Sequence, residues 1–346
     1  MKTSVITENE RPVAATRKKR RVVRKTLLVL AILLVALLLF SLISPLPVSM
    51  LMRIAFRNGD AVEPDNYELM ESQVITTKDL TYPSSYKSNS ADIYRPKDIT
   101  GKLPVVLWVH GGAYVGGDKR NVGIYATALA AEGFAVVCIN YQRAPEAKYP
   151  VPVIQTGEAY LWLCEIAEEY SLDMERIILA GDSAGAQIVA QFAAIQSNSA
   201  YSSEIEMEQL VSLNTIKSVL LFCGPFDSEK ISLGENPFVN FCLSRAAWAY
   251  FGSRDWAERF AQRASVGHHI TDQYPPTFIS DGNTASFEYH GRDLAEILDE
   301  NNVLVETYFI NPDDEKTYHE YQFVMNTPAG RESFKRTLNF MKRHLD

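Results

Sequence analysis

Ser183 stands in a setting that suits a nucleophile. It is the central residue of a G-x-S-x-G pattern that begins at Gly181 and ends at Gly185. The apolar stretch 177–180 precedes the pattern and the small-residue stretch 184–195 follows it, which predicts a strand, a sharp turn and a helix. In that context G-x-S-x-G exposes a serine hydroxyl for attack on a carbonyl carbon. The chemistry indicated is acyl transfer through a covalent intermediate.

A glycine-rich loop upstream of the serine complements this nucleophile. His110, Gly111, Gly112 and Ala113 follow the strongly apolar stretch 104–109. Glycines at such a position allow backbone N–H groups to face an acyl oxygen, and each donor of an oxyanion hole stabilises the transition state by about 3 kcal/mol. The alternative is a loop in which the glycines only turn the chain. The two motifs together favour the catalytic interpretation.

With these motifs the chain resembles the hormone-sensitive-lipase-like carboxylesterases, a branch of the α/β-hydrolases. The resemblance covers residues 72–346 and includes the stretch 91–96, which is similar to an early strand of the family. It also includes the stretch 140–150, which resembles the family's Y-R-L-A-P-E segment except at Gln142 and Arg143. The resemblance implies an oxyanion hole and a Ser, acid, His triad.

The family's pattern assigns the oxyanion donors to particular backbone N–H groups. They belong to the second and third residues after the loop histidine and to the residue after the serine, which here are Gly112, Ala113 and Ala184. Ala113 replaces the usual third glycine. The backbone donor survives this change, and the added methyl group narrows the pocket.

The triad base is predicted from chain order, because α/β-hydrolases run serine, acid, histidine. His319 follows the last predicted strand, 303–310, and is expected to take the Ser183 proton and return it to the leaving alcohol. The alternative is a solvated loop histidine. The neighbouring His268 and His269 are interpreted as residues of a lid or pocket rim, and His344 lies in the polar end of the last helix.

The triad acid is where the sequence departs from the family. The usual aspartate falls near Ala285, and no carboxylate occupies that position. Asp281, at the end of the predicted strand 276–281, is the nearest replacement. Asp227, after the preceding strand, is the alternative acid and is otherwise a turn residue. Three further carboxylates are interpreted mainly as surface charges: Glu288, Asp313 and Asp314.

The N-terminal region predicts a membrane anchor. The run 27–43 is apolar apart from Ser41, and basic residues precede it at 17–21, 24 and 25. The interpretation is a basic cytoplasmic tail at 1–25 and a transmembrane helix at 26–44, with the catalytic part outside the cytoplasm of a single-pass membrane protein. A cleaved signal peptide is the alternative. The long apolar run, the lack of an A-x-A pattern and the nearby prolines favour an uncleaved anchor.

Charge and cysteine usage narrow the partners. Residues 1–25 carry nine basic and two acidic side chains, which leaves −15 for the remainder of a chain whose net charge is −8. An acidic domain repels polyanions, so nucleic acid is not an expected partner. The four cysteines are widely spaced and form no metal or redox motif. Neither a metal nor an organic cofactor is expected.

The remaining sequence predicts an α/β fold in which helices cover both faces of a mostly parallel sheet. Strands are expected near 104–109, 134–141, 176–181, 217–223, 276–281 and 303–310. An aromatic-rich insertion at about 228–272 is interpreted as a helical lid over Ser183 or as a packed helical appendage. Residues 45–71 are interpreted as a linker or a contribution to the lid, and 72–346 as the hydrolase domain.

The predicted function is hydrolysis of small-molecule or lipid carboxylic esters by a membrane-anchored serine hydrolase. A peptidase or amidase on the same fold is the first alternative. A catalytically silent binding module with this fold is the second. The sequence predicts no oligomeric state.

Overall fold

The computed structural model describes residues 11–59, 61–231 and 236–345, with side chains from residue 19 onward. The chain divides into two compact units, Met1–Pro47 and Val48–Asp346. Each unit is described by itself.

The first unit is dominated by one long helix, α1, which spans Arg11–Ile43. Its segment Lys19–Ile43 is 25 residues long and apolar enough to cross a membrane. At a rise of 1.5 Å per residue its uncharged part, 26–43, is about 27 Å long, close to the thickness of a bilayer core of about 30 Å. Length and composition therefore make it a candidate span, and an N-terminal signal sequence meets the same criteria.

The second unit contains one eight-stranded sheet. Its order is β1-β2-β4-β3-β5-β6-β7-β8, antiparallel for the first two pairings and parallel for all the others. The strands are β1 (Val74–Thr81), β2 (Ser90–Pro96), β3 (Leu103–Val109), β4 (Ala135–Ile139), β5 (Leu172–Asp182), β6 (Ile216–Phe222), β7 (Thr277–Asp281) and β8 (Val305–Phe309).

Ten helices accompany the sheet within the described residues. They are α2 (Leu46–Ala55), α3 (Tyr67–Ser72), α4 (Gly123–Ala131), α5 (Val151–Ile166), α6 (Ala184–Ser197), α7 (Ser199–Ile205), α8 (Pro237–Phe251), α9 (Trp256–Ala264), α10 (Glu288–Glu300) and α11 (Pro328–Arg343). Helix α2 starts two residues before the second unit and otherwise belongs to it.

The predicted mostly parallel sheet is confirmed, including the six strands expected from apolar runs. The central strands β3 and β4 are buried along their whole length, as parallel strands covered on both faces must be. Strand β1 was not predicted. Its burial explains why, since only Val74 of its eight residues is buried and the rest give no regular alternation.

Two hydrophobic clusters cover the two faces of the sheet. The larger contains residues of α5 and α6 together with one face of β3, and the smaller contains residues of α4 and α11 with the other face. Within the larger cluster α6 lies very close to β3. A Cβ atom added at Gly185 would lie 2.0 Å from the carbonyl oxygen of Val109. The glycine therefore permits the close approach that brings the start of α6 to the end of β3.

Two segments add helices at the carboxyl edge of the sheet. Helices α8 and α9 lie between β6 and β7, in the insertion interpreted from the sequence as a lid, although its residues 232–235 are outside the described part. The other segment is 48–59, where the Arg53 guanidinium donates to the carbonyl oxygens of Val115 (2.7 Å) and Ala144 (2.6 Å). Arg53 also pairs with Glu146 at 2.7 Å, so α2 is fixed to the loops around the site.

Candidate active site

Ser183 lies in a strained turn between β5 and α6. Its φ of 50° and ψ of −121° place it outside the regions that residues with side chains favour. The Ser183 backbone N–H donates to the carbonyl oxygen of Phe222 on β6 at 2.7 Å, which holds the turn. Strain of this kind, fixed by neighbouring strands, is typical of nucleophile elbows.

His319 contacts Ser183 directly. The distance from its Nε2 to Ser183 Oγ is 3.0 Å, which suits transfer of the hydroxyl proton. Burial lowers the pKa of His319 to about 4, so the ring is neutral near pH 7 and able to accept a proton. Phe287 packs its ring edge-on against the imidazole with centroids 5.7 Å apart.

Among the hydrogen bonds of the described residues, Asp281 is joined to His319 through another side chain. Its Oδ1 accepts hydrogen bonds from the backbone N–H of Gly282 at 2.7 Å and from the hydroxyl of Ser286. The Ser286 oxygen lies 2.7 Å from His319 Nδ1. Ser286 was not identified from the sequence. The signal that could have found it is its position, directly after the vacant family site at Ala285.

The alternative acid, Asp227, faces a different histidine. Its Oδ1 accepts from the backbone N–H of Glu229 at 2.8 Å, and its Oδ2 lies 3.2 Å from the Lys230 ammonium group. The Asp227 backbone N–H donates to His290 Nδ1 at 3.1 Å. These bonds match the turn role that was the other interpretation of Asp227.

The remaining candidate acids and histidines also lie apart from Ser183. Glu288 pairs with Arg292 within one turn of α10. His269 stacks on Tyr201 at a centroid distance of 3.5 Å, and His268 lines a separate cavity beside His290. Asp313 and Asp314 are exposed on the loop after β8.

The predicted oxyanion donors face the same space as Ser183. Gly112 and Ala113 have positive φ values of 114° and 51°. Within the described residues, the backbone N–H groups of Gly112, Ala113 and Ala184 have no protein acceptor. Ala113 and Ala184 line one cavity together with Ser183, and Gly112 lines the adjoining one. Such unpaired donors are what an oxyanion hole requires.

Asp182 links the elbow to the oxyanion loop. It is buried, and it accepts from the Trp108 indole N–H at 2.7 Å and from the Gly111 backbone N–H at 2.8 Å. Burial raises the pKa of Asp182 to about 6. One carboxylate therefore fixes the loop that carries the donors relative to the nucleophile.

His110 has a structural role in the same loop. Its Nδ1 lies 2.6 Å from the carbonyl oxygen of Gly111, and its ring stacks on Tyr141 at 4.6 Å. Burial lowers the pKa of His110 to about 4, so the ring stays neutral in the interior. Arg143, which departs from the family pattern, donates to the carbonyl oxygen of Gly117 at 2.7 Å and holds the far end of the loop.

Two cavities of unequal size meet at Ser183. The smaller, of about 30 Å³, is lined by Ala113, Tyr114, Leu243 and Phe287. The larger, of about 270 Å³, is lined by His319, the oxyanion loop, Phe323 and the segment that contains Phe56. The nucleophile therefore opens to a narrow apolar space on one side and a wider, partly polar space on the other.

One group of side chains at the site has the composition of a metal-binding set. The ligand atoms of Cys223, Asp281 and His319 lie within 4.8 Å of one another. Burial raises the pKa of the Cys223 thiol, which opposes the thiolate that metal binding needs. Both ring nitrogens of His319 already lie within hydrogen-bonding distance of serine hydroxyls. The residues present do not fit a metal centre.

The parallel sheet, the strained elbow and the loop histidine define an α/β-hydrolase. The profile of the BD-FAE family matches residues 91–287, which is more than half of the chain. The chain belongs to the BD-FAE family, and its relatives confirm the predicted resemblance to the hormone-sensitive-lipase-like carboxylesterases.

Curated relatives include esterases of several organisms. The chain is 26% identical over 211 residues to the probable carboxylic ester hydrolase LipM of Mycobacterium tuberculosis, covering 60% of this chain and 48% of that protein. It is 29% identical over 139 residues to the acetyl esterase of Salmonella schwarzengrund, covering 38% and 42% of the two chains. The chain thus spans less than half the length of these curated relatives.

Solved structures share the fold at low sequence identity. Esterase B of Lactobacillus rhamnosis superposes with a TM-score of 0.70 at 20% identity, covering 82% of this chain and 89% of that one. A bacterial heroin esterase superposes with a TM-score of 0.67 at 21% identity, covering 80% and 86%. Both likenesses establish the fold.

Proposed function

We propose that this protein is a serine carboxylesterase that cleaves esters through an acyl-enzyme. The observation that carries the proposal is the 3.0 Å approach of His319 Nε2 to Ser183 Oγ beside three unpaired backbone donors. The histidine removes the serine proton as the oxygen attacks, and Gly112, Ala113 and Ala184 stabilise the oxyanion. The same histidine then protonates the leaving alcohol, and a water molecule releases the acid.

The direct test compares substrates that share an acyl group. Full-length protein in detergent micelles is expected to hydrolyse p-nitrophenyl acetate and to leave the matching acetanilide intact. Faster cleavage of anilides or peptides would support a peptidase or amidase. Turnover of neither class, with the fold retained, would support a silent binding module.

The two cavities divide the substrate. The leaving alcohol must lie on the side of His319, because that imidazole returns the proton to the departing oxygen. The larger cavity, which His319 lines, therefore takes the alcohol, and the smaller takes the acyl chain. At about 30 Å³ against about 270 Å³, the smaller cavity offers about a ninth of the space of the larger one. We infer a preference for acetyl and similarly short acyl groups.

Leu243→Ala is expected to relax this acyl preference. Leu243 lies where the two cavities meet and lines both of them, and each methylene accommodated in an apolar pocket is worth about 1–3 kcal/mol. The ratio of kcat/KM for hexanoate over acetate should rise at least about tenfold, measured with p-nitrophenyl esters. Asn58 lines the larger of the two cavities at Ser183 and not the smaller, so Asn58→Ala is the control and should leave the ratio unchanged. An unchanged ratio in Leu243→Ala would place the acyl chain elsewhere.

The apolar segment 26–44 is proposed to anchor the protein in the cell membrane. The support is its length and apolar composition, together with the basic cluster at 17–21, which the positive-inside rule assigns to the cytoplasmic side. The hydrolase unit is then outside the cytoplasm, where its ester substrates are small molecules or lipids.

Protease protection tests this topology. An impermeant protease added to intact cells is expected to degrade the hydrolase unit and to spare an epitope placed at the N-terminus, while permeabilised cells lose both. Protection of the hydrolase unit in intact cells would reverse the orientation. A mature protein that begins near residue 45 would instead identify the apolar run as a cleaved signal peptide.

A further inference from the structure

The contact between Asp281 and His319 differs from a direct acid–histidine pair. The Ser286 hydroxyl lies between them, hydrogen-bonded to Asp281 Oδ1 and 2.7 Å from His319 Nδ1. No direct hydrogen bond joins the carboxylate to the imidazole within the described residues. We infer that Ser286 is a positioning residue that transmits the charge of Asp281 to His319 and selects its tautomer. The inference rests on the proposed function, since it concerns the base of that reaction.

The hydroxyl has one proton, so the direction of its hydrogen bonds follows from its neighbours. An ionised Asp281 can only accept, and Ser286 must therefore donate to it. The Ser286 oxygen then accepts from Nδ1–H of His319. The proton of the neutral ring is thus held on Nδ1, which leaves Nε2 as the acceptor for the proton of Ser183.

During the attack by Ser183, no proton moves along the hydrogen bonds that join His319, Ser286 and Asp281. When Ser183 Oγ bonds to the carbonyl carbon, its proton moves to His319 Nε2 and the ring becomes an imidazolium. Its Nδ1–H continues to donate to Ser286, and Ser286 continues to donate to Asp281. The positive charge is stabilised by a carboxylate one hydroxyl away, and the proton on Nε2 later leaves with the alcohol.

Protonation of Asp281 reverses the direction of the hydrogen bonds that join it to Ser286 and His319. A neutral carboxyl group can donate to Ser286, which then donates to Nδ1 and shifts the ring proton to Nε2, where it blocks acceptance from Ser183. Burial raises the pKa of Asp281 to about 7, against the opposing effect of its hydrogen bond with Ser286. Activity is therefore expected to fall as the pH falls through about 7.

Other titratable groups face this chain from neighbouring elements. The Cys223 thiol after β6 lies within 4.8 Å of the Asp281 carboxylate and the His319 ring, and Glu288 at the start of α10 acts on Asp281 at longer range. Glu320 lies 3.8 Å from His319 Nε2, on the side of the ring that faces Ser183. Of these groups only the Cys223 thiol lies close to both Asp281 and His319, and the hydrogen bond at Nδ1 is made by Ser286.

The test compares Ser286→Ala with Ser286→Thr in the full-length protein. Ser286→Ala removes the hydroxyl, and we expect kcat for p-nitrophenyl acetate to fall about a hundredfold or more with little change in KM. Ser286→Thr retains a hydroxyl and is expected to recover most of that loss. Thr284→Ala removes a hydroxyl of the same loop that bonds only to Asn283, and it should behave like the wild type.

A double variant tests whether Ser286 and Asp281 act on His319 together or independently. If Ser286 acts only by passing on the charge of Asp281, then Ser286→Ala combined with Asp281→Asn should be no slower than the slower single variant. The acid limb of kcat/KM should also move to lower pH in Ser286→Ala, because the titration of Asp281 no longer reaches the base. Multiplicative losses with an unmoved acid limb would overturn the inference.

Histidine NMR gives a readout independent of ester turnover. With ¹⁵N-labelled histidine, and His319 assigned through His319→Gln, the wild type at pH 8 should show a protonated Nδ1 and a bare Nε2. Ser286→Ala should convert His319 to a mixture of tautomers. If this change occurs and no ester is cleaved, the proposed function fails and the relay stands. If esters are cleaved and the His319 tautomer is the same in Ser286→Ala as in the wild type, the inference about Ser286 is wrong and the proposed function stands.

Discussion

Ser183→Ala is expected to abolish both ester cleavage and covalent labelling. The Ser183 hydroxyl lies 3.0 Å from His319 Nε2, and Ser183 lines the same two cavities as the residues that carry the unpaired donors. Loss of a nucleophilic serine in a triad lowers kcat by about a millionfold. A fluorophosphonate should add one adduct to the wild-type protein, read by intact mass, and none to Ser183→Ala.

A serine at the far end of α6 provides the matched control. Ser197 is buried near the end of α6, and its hydroxyl donates only to backbone carbonyl groups of that helix, Ala193 at 2.8 Å and Ala194 at 3.4 Å. Ser197→Ala should be labelled at the wild-type rate. Labelling that persists in Ser183→Ala would place the nucleophile elsewhere and contradict the proposed acyl-enzyme.

Gly185→Ala is expected to have the largest effect on stability. The new Cβ would lie 2.0 Å from the carbonyl oxygen of Val109 and 2.7 Å from that of His110, and backbone atoms cannot rotate away. Overpacking of this severity costs about 3 kcal/mol or more. For a unit of about 300 residues that corresponds to a fall in Tm of about 5 °C or more. Because the displaced strand leads into the oxyanion loop, activity should fall even in the folded fraction.

The control for Gly185→Ala is a glycine with open space around it. Gly133 has a φ of 101° and no atom within 4 Å of an added Cβ. Gly133→Ala therefore introduces backbone strain of about 1–2 kcal/mol without a clash, and it should lower Tm less and leave kcat unchanged. Thermal unfolding followed by circular dichroism measures both variants. A wild-type Tm in Gly185→Ala would contradict the close contact between α6 and β3.

Much of this arrangement could be predicted because its signals are local. The elbow at Ser183 and the loop at His110 are short motifs beside apolar strands. The residues that allow a tight turn and free N–H groups are adjacent in the sequence, so each motif can be recognised locally. His319 followed from chain order. The central strands were equally clear, because strands buried on both faces are continuous apolar runs.

The features that were missed depend on contacts between distant residues. The role proposed for Ser286 depends on the fold, which brings Asp281 and His319 to either side of its hydroxyl, and a lone serine has no sequence signature for that. Strand β1 is a mostly exposed edge strand, so its residues need not alternate. The attachment of α2 through Arg53 depends on carbonyl oxygens of Val115 and Ala144, which no side-chain pattern reveals.

The unequal cavities at Ser183 have a consequence for how such a catalyst selects its substrates. Under the proposed assignment, the acyl group of the ester occupies a cavity of about 30 Å³ and the alcohol part occupies a cavity of about 270 Å³. Recognition is then strict for the group that becomes attached to the enzyme and permissive for the group that departs first. An enzyme of this design removes one kind of short acyl group from esters of many different alcohols. Any stereochemical preference of the enzyme should concern chiral alcohols, because an acetyl group is achiral.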